Sequence, residues 1–226
     1  MPTIYIRSGR RASISNRGLK PGASCKTEVL QLPPHLAAKK PVKYTLFTMQ
    51  GKIFTAFDIE TTGLDPKIDR IVEFGAIKFD GSGVIARFST LVNPEIPMPL
   101  EAGRVNGISD AMLSGRPVIE EALPDFLSFV KNTVIIAHNA PFDCGFVNEN
   151  LKKLCEAKNT SWIPPFPTLP NQIMDTLVLS KEHFPGLKSY SLQNLALEFG
   201  IIVTEAHRAP DDARLCMEIF RRFSVT

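Results

Sequence analysis

From Lys52 onward the chain carries first the period of strands and then that of helices, and this order restricts it to a mixed α/β layer architecture. Ile53 to Ile59, Ile71 to Phe79 and Val84 to Val92 are apolar, β-branched runs. Gly63-Leu64-Asp65-Pro66 and Asp80-Gly81-Ser82-Gly83 stand between them, which predicts a three-strand meander. Helical spacing follows in Val118 to Val130, Phe142 to Leu154, Leu192 to Phe199 and Asp211 to Phe223, with a short buried strand at Thr133 to Ala137. One α/β domain over 49–226 is expected, without internal repeats. Ser180 to Leu192 fits neither period, and Pro164 to Pro170 reads as a surface loop.

The first 48 residues are different in kind. They hold nine Lys/Arg against the single acid Glu28, a balance of +8, so the whole-chain net charge of +3 conceals a domain with 17 bases and 22 acids. Five prolines and no sustained period predict a basic leader that does not order itself. Three readings fit it: a translation start at Met49, a basic arm that touches phosphates, or an organelle transit peptide, the last disfavoured by Pro33-Pro34. No apolar run approaches the ~20 residues of a membrane-spanning helix, so no membrane association is expected. The cysteines Cys25, Cys144, Cys155 and Cys216 form no C-x-x-C pair or zinc spacing, which suits a reduced, cytoplasmic protein.

Carboxylates occupy positions where apolar side chains belong. Alternation along the first strand puts Asp58 and Glu60 on the face of Phe54 and Ala56. Asp143 lies on the stripe of Phe146, Val147, Asn150, Leu151 and Leu154, and Asp212 on that of Leu215, Cys216, Ile219, Phe220 and Phe223. An acid in a first helical turn often only caps the helix or complements its dipole. Three elements that each turn a carboxylate inward, with no Lys or Arg at the matching positions, instead suit hard divalent cations such as Mg²⁺ or Mn²⁺.

A carboxylate-bound pair of metals points to in-line attack on phosphorus, aided by a general base of near-neutral pKa, for which histidine is suited. Of the four histidines, His35 lies in the leader and His183 in an irregular stretch beside Pro185. His138 follows a buried strand and reads as a packed residue. His207 precedes Asp212 by five residues in the loop that opens the last helix, and is the expected base.

Three segments also carry a family resemblance. Phe57-Asp58-Ile59-Glu60-Thr61-Thr62-Gly63-Leu64-Asp65, His138-Asn139-Ala140-Pro141-Phe142-Asp143 and His207-Arg208-Ala209-Pro210-Asp211-Asp212-Ala213-Arg214 resemble the three ordered motifs of the DEDDh, DnaQ-like 3′→5′ exonucleases, including the His-x₄-Asp spacing. Asn93-Pro94 and Val105-Asn106-Gly107-Ile108 also fit, and the resemblance spans about residues 52–225. It implies a ribonuclease-H-like mixed β-sheet flanked by α-helices. It implies Asp58, Glu60, Asp143 and Asp212 as ligands of two divalent cations, and His207 as base. Thr61, Thr62, Gly63 and Leu64 would hold the 3′-terminal nucleotide, and Phe142 would offer the strand an apolar or stacking surface.

The implied substrate is a single-stranded DNA 3′ end, released as nucleoside 5′-monophosphates; RNA trimming is the alternative within the family. A DNA polymerase catalytic subunit is the implied partner, and a mainly structural role beside it is the second alternative. The chain's end at Thr226, directly after the last helix, argues against a C-terminal polymerase-holding extension. Two positions depart from the family pattern: Asn106 replaces a usual His, and Pro210 replaces a usual Leu, though Pro suits a first helical turn. Gln31-Leu32-Pro33 is only a faint echo of a sliding-clamp peptide and reads as chance.

Overall fold

The computed structural model describes residues 3–6, 47–157 and 165–225. The strands are β1 (Thr3–Ile6), β2 (Phe47–Thr48), β3 (Phe54–Thr61), β4 (Ile71–Asp80), β5 (Gly83–Leu91), β6 (Val134–Ala137), β7 (Ile173–Asp175) and β8 (Ser224–Val225). Six of them form one sheet in the order β1-β5-β4-β3-β6-β7, and β2 pairs with β8 in parallel. The expected meander is β3-β4-β5, antiparallel throughout; β6 joins β3 in parallel and β7 joins β6 in parallel.

Within the leader, the strand at Thr3–Ile6 runs antiparallel to β5 and extends that edge of the sheet. Four residues, Thr-Ile-Tyr-Ile, are too few to register as a period, and the unpaired edge of β5 supplies the hydrogen bonds that order them. The rest of the leader up to residue 46, with Cys25, Gln31-Leu32-Pro33 and His35, lies outside the described residues.

The helices are α1 (Leu100–Asn106), α2 (Asp110–Leu113), α3 (Ile119–Val130), α4 (Ala140–Glu156), α5 (Thr176–His183), α6 (Leu192–Glu198) and α7 (Ala209–Arg221). Because β3 and β4 are covered on both faces, they read as nearly continuous apolar runs. One face carries Phe57, Phe74 and Phe88, whose rings gather around Phe126 of α3 at 5.3, 4.7 and 6.2 Å. Phe146, Val147 and Leu151 of α4 complete that cluster. The other face carries Phe54 and Phe79 against Phe220 of α7, at 5.2 and 6.1 Å. Each buried Phe contributes on the order of 2–3 kcal/mol of transfer free energy, so the sheet is clamped from both sides and its C-terminal edge becomes a rigid platform.

Helix α5 was not foreseen. His183 closes it and donates from Nδ1 to the Leu179 carbonyl, 2.9 Å away, instead of lying in an irregular stretch. Its start is fixed by Asp175, which accepts the Leu177 N–H at 2.8 Å and also the N–H groups of Asn139 (3.1 Å) and Ala140 (3.0 Å). One carboxylate thus satisfies first-turn donors of both α4 and α5.

Candidate active site

Strand β3 runs toward the site with Phe54 and Ala56 in the core and Asp58 and Glu60 beyond them on the same face, as its alternation requires. Across the ladder Asp58 faces Gly75 and Glu60 faces Glu73. Helix α7 begins directly above this pair of strands. Gly75 permits the approach: a methyl group there would land on the carbonyl carbon and oxygen of Ala209 and on the Pro210 nitrogen. The absent side chain lets the helix start sit on the sheet, and Asp212, one turn in, reaches Asp58 and Glu60. A carboxylate oxygen from each of the three lies within 4.8 Å of the others.

Gly75→Ala is therefore expected to lift the start of α7. Displacement of a site group by about 1 Å costs on the order of 10²-fold in rate. The expected result is that loss in kcat together with a lower melting temperature, read by single-turnover cleavage and thermal melting. An alanine variant with wild-type kcat would show that the helix start does not set the site.

Asp143 enters from the first turn of α4, buried, and its Oδ1 accepts the Ile59 N–H at 3.2 Å. It is thereby fixed to the strand backbone between Asp58 and Glu60. Among the described residues none of the four acids forms an ion pair. Arg208 is committed to Glu73, with Nη2 to Oε1 at 2.8 Å and Nε to Oε2 at 3.1 Å.

Burial first, and then the charges of Asp143, Asp212, Glu60 and Glu73, raise Asp58 well above the usual carboxylate range. Burial and the charges of Asp212 and Glu73 push Glu60 up to about 8, partly opposed by Arg208 and by a hydrogen bond from Asn106. Burial pushes Asp143 up to about 8 against the Ile59 hydrogen bond. Asp212 is raised to about 6 by burial, with His207 and Gln193 pulling it down. Such a set is electrostatically unfinished: burial makes each acid resist ionisation, neighbouring carboxylates add to this at Asp58, Glu60 and Asp143, and an added multivalent cation relieves all of them at once.

His207 lies in the exposed turn before α7 at φ 60°, a left-handed value uncommon outside glycine. His138 is a packed residue, its ring nitrogens 2.9 Å from the Thr176 hydroxyl and 2.9 Å from the Tyr190 carbonyl oxygen.

The loop after β3 is held by its own side chains. The Thr61 hydroxyl donates to the Gly63 carbonyl at 2.6 Å, and the Thr62 hydroxyl donates to Asp69 Oδ1 at 3.2 Å. Asp69 also accepts the Asp65 N–H at 2.9 Å, and its carboxylate fills the space a Gly63 side chain would need. Asn106 Nδ2 reaches the Thr61 carbonyl at 3.4 Å from beneath. On this frame Leu64 is 83% exposed and available to a ligand. Phe142 is only half-buried, its ring 5.1 Å from Phe146 at the margin of the core.

Sequence reasoning missed Glu73, Arg208, Asp69, Asp175 and Gln193. Glu73 carried a visible signal, since it is an acid inside the apolar run Ile71 to Phe79. The others become legible only through their partners.

The profile of the RNase_T family, described as Exonuclease, matches residues 55–220. Over 169 residues the chain is 48% identical to the DNA polymerase III subunit epsilon of Treponema pallidum (strain Nichols), a match covering 74% of this chain and 74% of that protein. Over 168 residues it is 39% identical to a DNA polymerase III PolC-type protein of Clostridium perfringens (strain 13 / Type A), covering 74% of this chain and 11% of that one. E. coli exonuclease I in complex with a dT13 oligonucleotide superposes with a TM-score of 0.63 at 21% identity, over 75% of this chain and 40% of the other. That likeness carries the fold, which is ribonuclease-H-like as expected. Among the described residues no helix is long and apolar enough to cross a membrane.

Proposed function

The chain belongs to the exonuclease family, within which it stands close to epsilon-type subunits, and on that premise we propose that it shortens single-stranded DNA from the 3′ end, releasing nucleoside 5′-monophosphates. The observation that carries this reading is the convergence of Asp58, Glu60 and Asp212 within 4.8 Å, beside the loop that holds His207. The family is divalent-metal dependent, and hard carboxylate oxygens without cationic partners are a donor set suited to Mg²⁺ or Mn²⁺. Asp58, Glu60 and Asp212 would hold one ion, and Asp143 with Asp58 a second. The pair of ions, when bound, supplies charge neutralisation at the phosphate and a more acidic water.

The protein's own groups do the rest. His207 takes the proton of the attacking water from its exposed place in the turn before α7. The backbone of Thr61 to Leu64, kept in shape by Asp69, seats the terminal nucleotide, and exposed Leu64 wedges against its base. Phe142 offers a partly buried ring to the strand, a sequence-tolerant contact. The proposed setting is the cytoplasm, in the company of a DNA polymerase catalytic subunit, with residues 1–48 as a basic leader that lends strands β1 and β2 to the 49–226 exonuclease domain.

The test is mononucleotide release from matched 5′-labelled single-stranded DNA and RNA with Mg²⁺, beside Asp212→Ala. DNA shortened from its 3′ end, with a silent variant, is the expected result. Consumption of RNA alone would move the substrate class to RNA processing. Inertness toward both under Mg²⁺ and Mn²⁺ would overturn the reading.

A further inference from the structure

Glu73 is 1% exposed and stands across the ladder from Glu60, yet its oxygens are not among those that converge with Asp58, Glu60 and Asp212. They are occupied from the side of α7. Oε1 accepts from Arg208 Nη2 at 2.8 Å; Oε2 accepts from Arg208 Nε at 3.1 Å and from the main-chain N–H of Ala209 at 3.1 Å. One buried carboxylate thus grips a side chain and a backbone amide of two successive residues, at the point where the chain leaves the turn and becomes helix. The residue just before them is His207, held at φ 60°. A left-handed conformation of that kind persists only where the surroundings over-determine it, and the grip on Arg208 and Ala209 is what fixes its C-terminal side. A two-pronged guanidinium–carboxylate pair sets angle as well as distance, which a single contact cannot.

We propose that Glu73 and Arg208 are positioning residues for His207: they pin the turn to β4 so that the imidazole is presented over the carboxylates, and they bind neither metal nor substrate. The proposal rests on the reading of His207 as the base. Arg208→Lys keeps the charge and loses the fork. Glu73→Gln keeps an acceptor and loses the ion pair. Each is expected to lower kcat by about 10- to 100-fold while KM for single-stranded DNA stays within about threefold. In a His207→Ala background the same substitutions should cost less than about twofold, because nothing remains to be positioned. The half-saturating Mn²⁺ concentration of Arg208→Lys, which leaves the charges of Glu73 and of residue 208 in place beside Asp58 and Glu60, should stay within about twofold of wild type.

One readout does not depend on activity. Hydrogen exchange over 205–212 should accelerate at least about tenfold in both variants, with β3 unchanged. Losses that multiply independently of His207→Ala, a large shift in the Mn²⁺ requirement of Arg208→Lys, or unaltered exchange in 205–212 would each overturn the positioning role. His207→Ala cleaving at the wild-type rate would remove the base assignment and this role together. Independent losses beside an impaired His207→Ala would remove the positioning role alone.

Discussion

Asp212→Asn is expected to abolish at least about 10³ of the cleavage rate and, in the metal-free protein, to raise the melting temperature. Both effects have one cause. Asp212 presents its oxygens to Asp58 and Glu60; burial raises all three acids, and the charge of Asp212 raises the other two further. The amide removes one of the like charges and one ligand oxygen while leaving an acceptor for Gln193, whose Nε2 lies 3.4–3.5 Å from the carboxylate. Relief of about 1 kcal/mol would appear as a shift of roughly 2–4 °C in a domain of this size. Single-turnover cleavage with Mg²⁺ and thermal melting in EDTA read the two halves separately. A variant that melts lower than wild type in EDTA would show that Asp212 stabilises the fold, and one that cleaves at a tenth of the wild-type rate would remove it from the proposed ligand set.

The second large effect is a reversal of the pH dependence of stability by metal. Unfolded Asp and Glu titrate near 3.9 and 4.3, whereas in the folded protein Asp212 is raised to about 6 and Glu60 and Asp143 to about 8. Between roughly pH 4 and 8 the folded state therefore binds more protons than the unfolded one, so the contribution of these acids falls as pH rises through that window and is fully lost above it. The metal-free protein should melt several degrees lower at pH 8 than at pH 5. Metal binding requires the ionised acids, so the gain from Mg²⁺ or Mn²⁺ should grow over the same interval and release protons. Activity should vanish on chelation and return with either ion. Glu60→Gln should flatten the metal-free profile; a wild-type profile that is flat or rises from pH 5 to 8 would contradict the electrostatic account.

Much of this was legible in the residues. The meander was readable because β3, β4 and β5 are long, β-branched and separated by Gly- and Asp-bearing turns, and the structure ends them within two residues of the expected bounds. Helices α3, α4 and α7 were readable because each carries a long buried stripe. The four acids betrayed themselves by interrupting such stripes. What escaped was short or relational. Strand β7 has three residues, the first of them exposed, and exists because β6 offers it an edge. Helix α5 has no clear apolar face, and its start depends on Asp175, a residue whose several bonds reach back some 35 positions. The weight of Gly75 was hidden too, since nothing in a strand sequence tells that a helix start will land on it.

The small parallel pair of β2 and β8 has a consequence for anything joined to this domain. Thr48 precedes β3, and Val225 follows α7, and the two face each other in the parallel pair. Strand β3 travels from Phe54 to Glu60 at about 3.3 Å per residue, and α7 descends from Ala209 to Arg221 at about 1.5 Å per residue. Both lengths put the paired strands roughly 20 Å from the carboxylates, toward the opposite end of β3 and α7. A cargo fused there would hang well away from the four acids. A Gly/Ser tether would need on the order of 15 residues before its root-mean-square reach brought that cargo level with them.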